Sequence, residues 1–152
     1  ERRETRATLV QHGVIHIMNN VLLKGCARQA SHACLTLQSL AQDAATNESI
    51  AEAGGIKTML GMLRQRSSPD LLTTILATLW TMSSVPSTSH KIAVFGGVKT
   101  IVLMAQDGTE AQQINAVATL WSLSAHAEIV HKIAKSGGIQ VLIDLMSHGR
   151  ND

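Results

Sequence analysis

The sequence predicts an all-α solenoid of stacked three-helix units, and three regularities carry that prediction. Glycines recur every 41 or 42 residues, at Gly13, Gly55, Gly97 and Gly138, and three of them close a Gly-Gly pair (Gly54-Gly55, Gly96-Gly97, Gly137-Gly138). Longer landmarks keep the same interval: His90-Lys91-Ile92-Ala93 recurs as His131-Lys132-Ile133-Ala134, and Leu79-Trp80-Thr81-Met82-Ser83 as Leu120-Trp121-Ser122-Leu123-Ser124. Within each interval the apolar spacing reads as a short, a medium and a long helix. Self-similarity at this period marks a repeat protein, in which each unit buries its apolar face only against its neighbours.

The units divide as residues 1–43, 44–86, 87–125 and a partial 126–152. In the first, a medium helix is expected near 14–23 and a long one near 27–41. In the second, Asn47-Glu48 opens a short helix that ends at Ala53, and Gly54-Gly55 turns the chain into a medium helix over 56–65. Ser68 then caps a long helix with Pro69 at its first position, where a missing N–H is harmless. In the third unit Ser87, Thr88 and Ser89 supply the cap of a short helix over 91–95, and Gly96 ends it in the left-handed conformation. A medium helix follows over 98–106, burying Val98, Ile101, Val102 and Met104 or Ala105; Asp107-Gly108-Thr109 breaks it, and a long helix covers 110–125. The last unit supplies a short helix over 128–135 and a medium one over 139–147.

Composition narrows the function. Hydrophobic residues make up 45% of the 152, enough for a continuous core and too many for a disordered chain. With no Tyr, one Phe and two Trp, that core is thin and evenly spaced, as stacked short helices need and a β-propeller of similar repeat length does not. The formal charge is +2, from 13 basic and 11 acidic residues, and the densest cluster, Glu1-Arg2-Arg3-Glu4, mixes signs. Without a basic stripe or an aromatic platform, nucleic acid is not an expected partner. Cys26 and Cys34 stand eight apart on one expected helix, a rise of about 12 Å that no disulfide spans. Both are expected to be buried thiols of a reducing compartment. No run of about 18 apolar residues and no leader pattern is present, so no membrane insertion is expected. The expected location is intracellular and cytoplasmic, with the nucleus as an alternative. A start without Met and an end inside a unit predict a piece of a longer protein.

The three-helix unit of about 42 residues, its Gly-Gly before the second helix and the Leu-Trp-x-Leu-Ser of the third resemble the armadillo repeat family over nearly the whole chain. HEAT repeats, the nearest rival, have two helices per unit and no such turn. The resemblance implies a right-handed superhelix whose long third helices line a concave groove. In armadillo proteins that bind extended peptides, an Asn at the position of Ser39, Thr81 and Ser122 hydrogen-bonds the peptide backbone; here all three are hydroxyl residues, which offer one proton instead of an amide's paired donor and acceptor. Nuclear-import adaptors also carry a groove Trp where this chain has Leu35, Ala77 and Ala118. Lacking both ladders and an acidic groove, the chain is not expected to read basic import signals.

The long helices carry a polar line. In the third unit Asn115, Thr119, Ser122 and His126 are spaced 4, 3 and 4 apart, which puts them on one helical face among apolar residues. Thr74, Thr78 and Thr81 are in phase with them, as are His32, Thr36, Ser39 and Asp43. Three such lines side by side would form a ladder, read either as merely solvated or as a partner-binding groove of His32, Thr36, Ser39, Thr74, Thr78, Thr81, Asn115, Thr119 and Ser122. Trp80 and Trp121 lie one residue before the Asn position, rotated about 100° from that line. They are expected to pack between units with the indole N–H at the groove edge; the alternative makes them aromatic anchors for a partner.

Catalytic and metal signatures are lacking. His12 and His16 are four apart but Gly13 interrupts them, and His126 and His131, five apart, fall on different faces. Neither pair has a Cys or Glu at ligand spacing, and Glu128 makes no H-E-x-x-H. His90 and His131 recur at equivalent positions and are expected to be structural. There is no G-x-G-x-x-G, P-loop or G-x-S-x-G, and His32 faces away from Cys34 and lies six residues from Cys26. Asn47-Glu48-Ser49 matches a glycosylation sequon but is read as a helix cap. No enzyme activity, cofactor or metal is expected.

Two functions remain. The first is a non-catalytic protein-interaction module whose groove, with Trp80 and Trp121, takes an extended or helical segment of a protein or peptide partner. The second is structural: a stretch of a longer scaffold that associates through solenoid ends, with a homo-oligomer as one form of that association. Its assembly face would be the last medium helix, with Leu142, Leu145 and Met146 beside Ile139, Val141 and Ile143.

Overall fold

The computed structural model describes residues 8, 12–65 and 67–148, and all regular structure among them is helical. The helices are α1 (Val14–Lys24), α2 (Ala27–Leu40), α3 (Ala44–Glu52), α4 (Gly55–Arg64) and α5 (Pro69–Met82). They continue with α6 (Pro86–Val94), α7 (Gly97–Asp107), α8 (Glu110–Leu123), α9 (Ala127–Lys135) and α10 (Gly138–His148). Short, medium and long helices alternate as the spacing predicts. The long helices α2, α5 and α8 pack side by side, each also against the medium helix before it.

The turn between short and medium helix fixes the geometry of each unit. Gly54, Gly96 and Gly137 sit at φ of 85°, 74° and 80°, a left-handed conformation that glycine adopts without the Cβ clash. The second glycine of each pair is the first residue of the medium helix, pressed against the short helix it has just left. A Cβ on Gly97 would lie 2.7 Å from both the Cγ2 and the carbonyl oxygen of Ile92, and Gly55 and Gly138 meet Ile50 and Ile133 in the same way. Gly13 differs from its expected phase. It carries the positive φ (75°) and caps α1, so its counterparts are Gly54, Gly96 and Gly137, while Val14 stands where Gly55 does.

The short helices start earlier than expected. Asp43 caps α3 by accepting from the Thr46 N–H at 3.2 Å, and Val85 precedes α6 with Pro86 at its first position. Of the residues expected as caps, Asn47, Thr88 and Ser89 lie inside these helices, buried, and serve the ends of long helices, while Ser87 is exposed and donates to Glu48 Oε1 at 2.6 Å. Ser89 Oγ donates to the Ser83 carbonyl at 2.7 Å, and Thr88 Oγ1 donates to the Met82 and Val85 carbonyls. Asn47 Nδ2 donates to the Ala41 and Met82 carbonyls, both at 3.2 Å. The last carbonyls of a helix have no partner within it, and here the next short helix supplies one.

One apolar core runs from Ile15 to Val141 without a break between units. It includes Val98, Ile101, Val102, Met104 and Ala105 on α7, so both alternatives for the last contact are buried. Each large side chain removed from water contributes about 1.5–3 kcal/mol. On the surface, Arg64 links the second and third units: Nη2 donates to the Phe95 carbonyl at 2.7 Å and Nε to Thr100 Oγ1 at 3.3 Å. Lys57 Nζ lies 4.7 Å above the Phe95 ring.

Two glycine substitutions should move stability in opposite directions. Gly97→Ala meets Ile92 at overlap distance and should cost about 1–3 kcal/mol. Gly61, inside α4, has nothing within 4 Å of an added Cβ, so Gly61→Ala should stabilise by about 0.5–1 kcal/mol. Urea unfolding of the two variants beside the wild type checks both signs.

Candidate functional site

The polar line of the long helices is open only in part. Thr78 and Thr119 are fully buried, and they face the preceding long helix. Thr78 Oγ1 lies 3.1 Å from Cys34 Sγ, and Thr119 Oγ1 reaches the Leu76 carbonyl at 3.5 Å. Thr74 Oγ1 sits 3.3 Å from Ser31 Oγ, and Ser122 Oγ donates to the Ser83 carbonyl at 3.0 Å. Thr74, Thr81, Asn115 and Ser122 are half-buried; His32, Thr36 and Ser39, on the first long helix of the described stack, are exposed. The reason is chemical. Thr78 and Thr119 donate to the carbonyls four residues back, at 2.8 and 2.7 Å, so their hydroxyls arrive at the interface already satisfied. A Thr so bonded packs as a small apolar residue. The expectation that these two line a groove is therefore corrected: they hold α2, α5 and α8 together.

The surface that does open is rotated by one residue. Trp80 is 44% exposed and Trp121 is 74% exposed, where packing between units was expected. Such exposure is unusual for the largest side chain. The equivalent position on α2 is Gln38, whose amide donates to the Ala77 carbonyl at 3.3 Å and to Thr81 Oγ1 at 3.4 Å. Beside this row run Leu35, Ala77 and Ala118, and beyond it Ser39, Thr81 and Ser122. The three rows fall at i, i+3 and i+4 on each helix and so share one face. The resulting strip holds nine positions across three helices and carries no ionisable side chain. Neighbouring helix axes stand about 8–10 Å apart, which sets the spacing of the two indoles.

The titratable groups lie elsewhere. Cys34 is buried, and burial pushes its thiol up from the ordinary 9.0 to about 11, against a smaller lowering by the Thr78 hydrogen bond. Cys26, expected to be buried, is exposed as the N-cap of α2, in a capping box with Gln29. His90 and His131, expected to be structural, are both on the surface, with His90 Nδ1 3.8 Å from Glu128 Oε1. Among the described residues no group of three His, Cys, Asp or Glu is placed to hold a metal ion. No described helix is long and apolar enough to cross a membrane. Of the expected assembly face, Leu142 and Leu145 are half-buried and Met146 exposed, alongside exposed Ile139 and Ile143 and buried Val141.

Solved structures of engineered and designed proteins share this architecture. An engineered protein superposes with a TM-score of 0.88 at 20% identity, over 94% of this chain and 59% of its own. A designed armadillo repeat protein in complex with the peptide (KR)4 gives 0.88 at 16% identity, over 95% of this chain and 61% of its own. Computationally designed armadillo repeat proteins for modular peptide recognition give 0.85 at 18%, over 94% and 61%. The chain spans about three fifths of the length of the structures it matches. No protein-family model and no curated protein matches the sequence. The fold is thus an armadillo-like solenoid of stacked helices.

The cysteines give this geometry a test. Native protein should present one fast-reacting thiol, Cys26, and a second only on unfolding. Between about pH 9 and 11 the unfolded chain releases the Cys34 proton while the folded chain keeps it, so stability should fall as pH rises through that window. The loss should reach about 2–3 kcal/mol. Below pH 9 both states hold the proton and the effect vanishes. Denaturant unfolding at pH 8 and pH 10.5 should show the fall in wild type and not in Cys34→Ala.

Proposed function

We propose that this armadillo-like chain is a non-catalytic interaction module, its repeat units the divisions 1–43, 44–86, 87–125 and 126–152. It binds an extended or helical segment of a partner protein across the long helices. One observation carries the reading: Trp80 and Trp121 are exposed in register on adjacent helices, within a strip free of charge. Exposed Trp on a rigid scaffold offers contact area at little entropic cost and is enriched among residues that dominate binding. Thr81 and Ser122, half-buried beside the indoles, supply the hydroxyl contacts of the same surface, with Ser39 at its edge. Thr36, His32, Thr74 and Asn115 flank it. The match to a designed armadillo protein in complex with a peptide supports a peptide segment as the kind of partner. The basic (KR)4 ligand of that protein does not carry over, because this strip has no acid to meet it. The partner's contacting residues are apolar or short and polar.

A second reading has its own observation. Ile114, Ile139, Ile143 and Met146 are exposed at the end formed by α8 and α10, so the chain also serves as a segment of a larger assembly that associates there.

The test is a pull-down with wild type, Trp80→Ala/Trp121→Ala and Thr81→Arg/Ser122→Arg, each checked by circular dichroism. A partner lost with the indoles while the fold persists supports the module. Identical recovery by all three sinks it. The recovered complex should weaken less than tenfold between low and physiological salt, measured by titration, since no charge lines the strip.

A further inference from the structure

The three short helices end on different chemistry. The carbonyl end of a helix carries a partial negative charge and favours cations. The last turn of α6 has Lys91, and that of α9 has Lys132 and Lys135. The last turn of α3 has no basic residue. The medium helices repeat the difference. Lys57 of α4 and Lys99 of α7 share one register position, where α1 has His16. Arg64 of α4 donates to the Phe95 carbonyl at the end of α6 at 2.7 Å, and α1 has Leu23 in its place.

Where those cations are missing, the surface is open. A cleft of about 330 Å³ separates α1 from α3, lined by Ile15 and His16 on one side and by Ser49, Glu52 and Ala53 on the other. In the next unit Phe95 stands at the position of Ala53, Lys91 at that of Ser49 and Val94 at that of Glu52. There Lys57 Nζ lies 4.7 Å from the centre of the Phe95 ring. The first cleft has lost that ring and both lysines and has gained a carboxylate. The core behind it is also altered. Asn19, buried at 7% exposure, takes the position of Leu60 and Val102. Its Nδ2 donates to the Ala53 carbonyl at 2.9 Å, and its Oδ1 is buried with no hydrogen-bond partner. A buried acceptor of this kind is destabilising until a donor reaches it.

We propose that this cleft receives an arginine side chain of a partner protein. The guanidinium supplies to α3 from outside what Arg64 and Lys57 supply to α6 from within. Its planar fork pairs with the Glu52 carboxylate, and its remaining N–H groups meet Ser49 Oγ and the carbonyl end of α3. Asn19 Oδ1, tied to that end through its own amide, gains the donor it lacks. Ile15 and Ala53 give the methylene stem an apolar wall. Arginine is selected over lysine because the acceptors are several and spread out, and an ammonium has no fork to span them. The site belongs to short and medium helices and the indole strip to long ones, so neither depends on the other.

The probe is the peptide acetyl-Gly-Arg-Gly-amide, titrated at constant ionic strength into isotope-labelled protein. NMR signals of the Asn19 side-chain amide and of the Ala53 and Gly54 N–H groups should shift and saturate. The peptide with citrulline, which keeps the shape and loses the charge, should produce no shift, and the lysine peptide should bind more weakly. Glu52→Gln should weaken the arginine peptide about tenfold, as loss of a charged hydrogen-bond partner does. His16→Lys/Ala53→Phe installs the pair found at Lys57 and Phe95; it should keep the fold by circular dichroism and abolish the shifts. No saturable shift overturns the proposal, as does an equal response to citrulline or unchanged binding by Glu52→Gln. Guanidinium chloride should bind more weakly than the peptide; equal affinity overturns the assignment to a protein partner. Trp80→Ala/Trp121→Ala should leave the shifts intact, and their loss would place the peptide on the strip and overturn the site.

Discussion

The contact between the second glycine of each pair and the isoleucine of the short helix before it sets the form of every unit. With no side chain at Gly55, Gly97 or Gly138, the medium helix starts in direct contact with Ile50, Ile92 or Ile133. The left-handed glycine in front turns the chain sharply enough to bring the two helices together. From there the rest follows by length. The medium helix lays one apolar face on the core, the chain breaks near Gly25, Ser68 or Thr109, and the long helix returns alongside it. A larger residue at the contact would push the helices apart, and the error would be repeated at each level of the stack.

What holds neighbouring units together is a set of small groups satisfied twice over. Threonines on α5 and α8 give their proton to their own helix and their bulk to the preceding one. Asn47, Thr88 and Ser89 close the carbonyl ends of long helices from the side. The indoles stand at the edge of this interface: Gln38, at the equivalent place on α2, donates across it to the Ala77 carbonyl and Thr81, while Trp80 and Trp121 stay exposed there.

Much of this was legible in the sequence, and the failures share a cause. The period, the order of helix lengths, the start of α5 at Pro69 behind Ser68 and the buried face of α7 follow from glycine, proline and apolar spacing, which act within a few residues, although the Ser68 side chain makes no capping hydrogen bond. The roles of Thr78 and Thr119 do not, because a hydroxyl bonded to its own helix is polar by composition and apolar by behaviour. Asn47, Thr88 and Ser89 have the residue types of caps, but the ends they close are the carbonyl ends of long helices, which for Asn47 lie both before and after it in the chain. Cys26 has the residue type of a core thiol and is a cap. The exposure of the tryptophans runs against the ordinary inward packing of a bulky aromatic on a helix, which sequence alone favours. Of the candidate strip, Ser39, Thr81, Ser122 and the two indoles could be located by register alone.

The hydrogen bonds that join successive units share one property, the distance along the chain that each one spans. Ser31 to Thr74 covers 43 residues, Asn47 to Met82 covers 35, Gln112 to Pro69 covers 43, and none of these contacts skips a unit. No part of the molecule waits for a distant part. A polypeptide emerging from the ribosome can lay each long helix on the one before as soon as about forty more residues are out, and the loop closed at each step stays the same size. Assembly of such a chain proceeds by accretion, and its order is the order of translation.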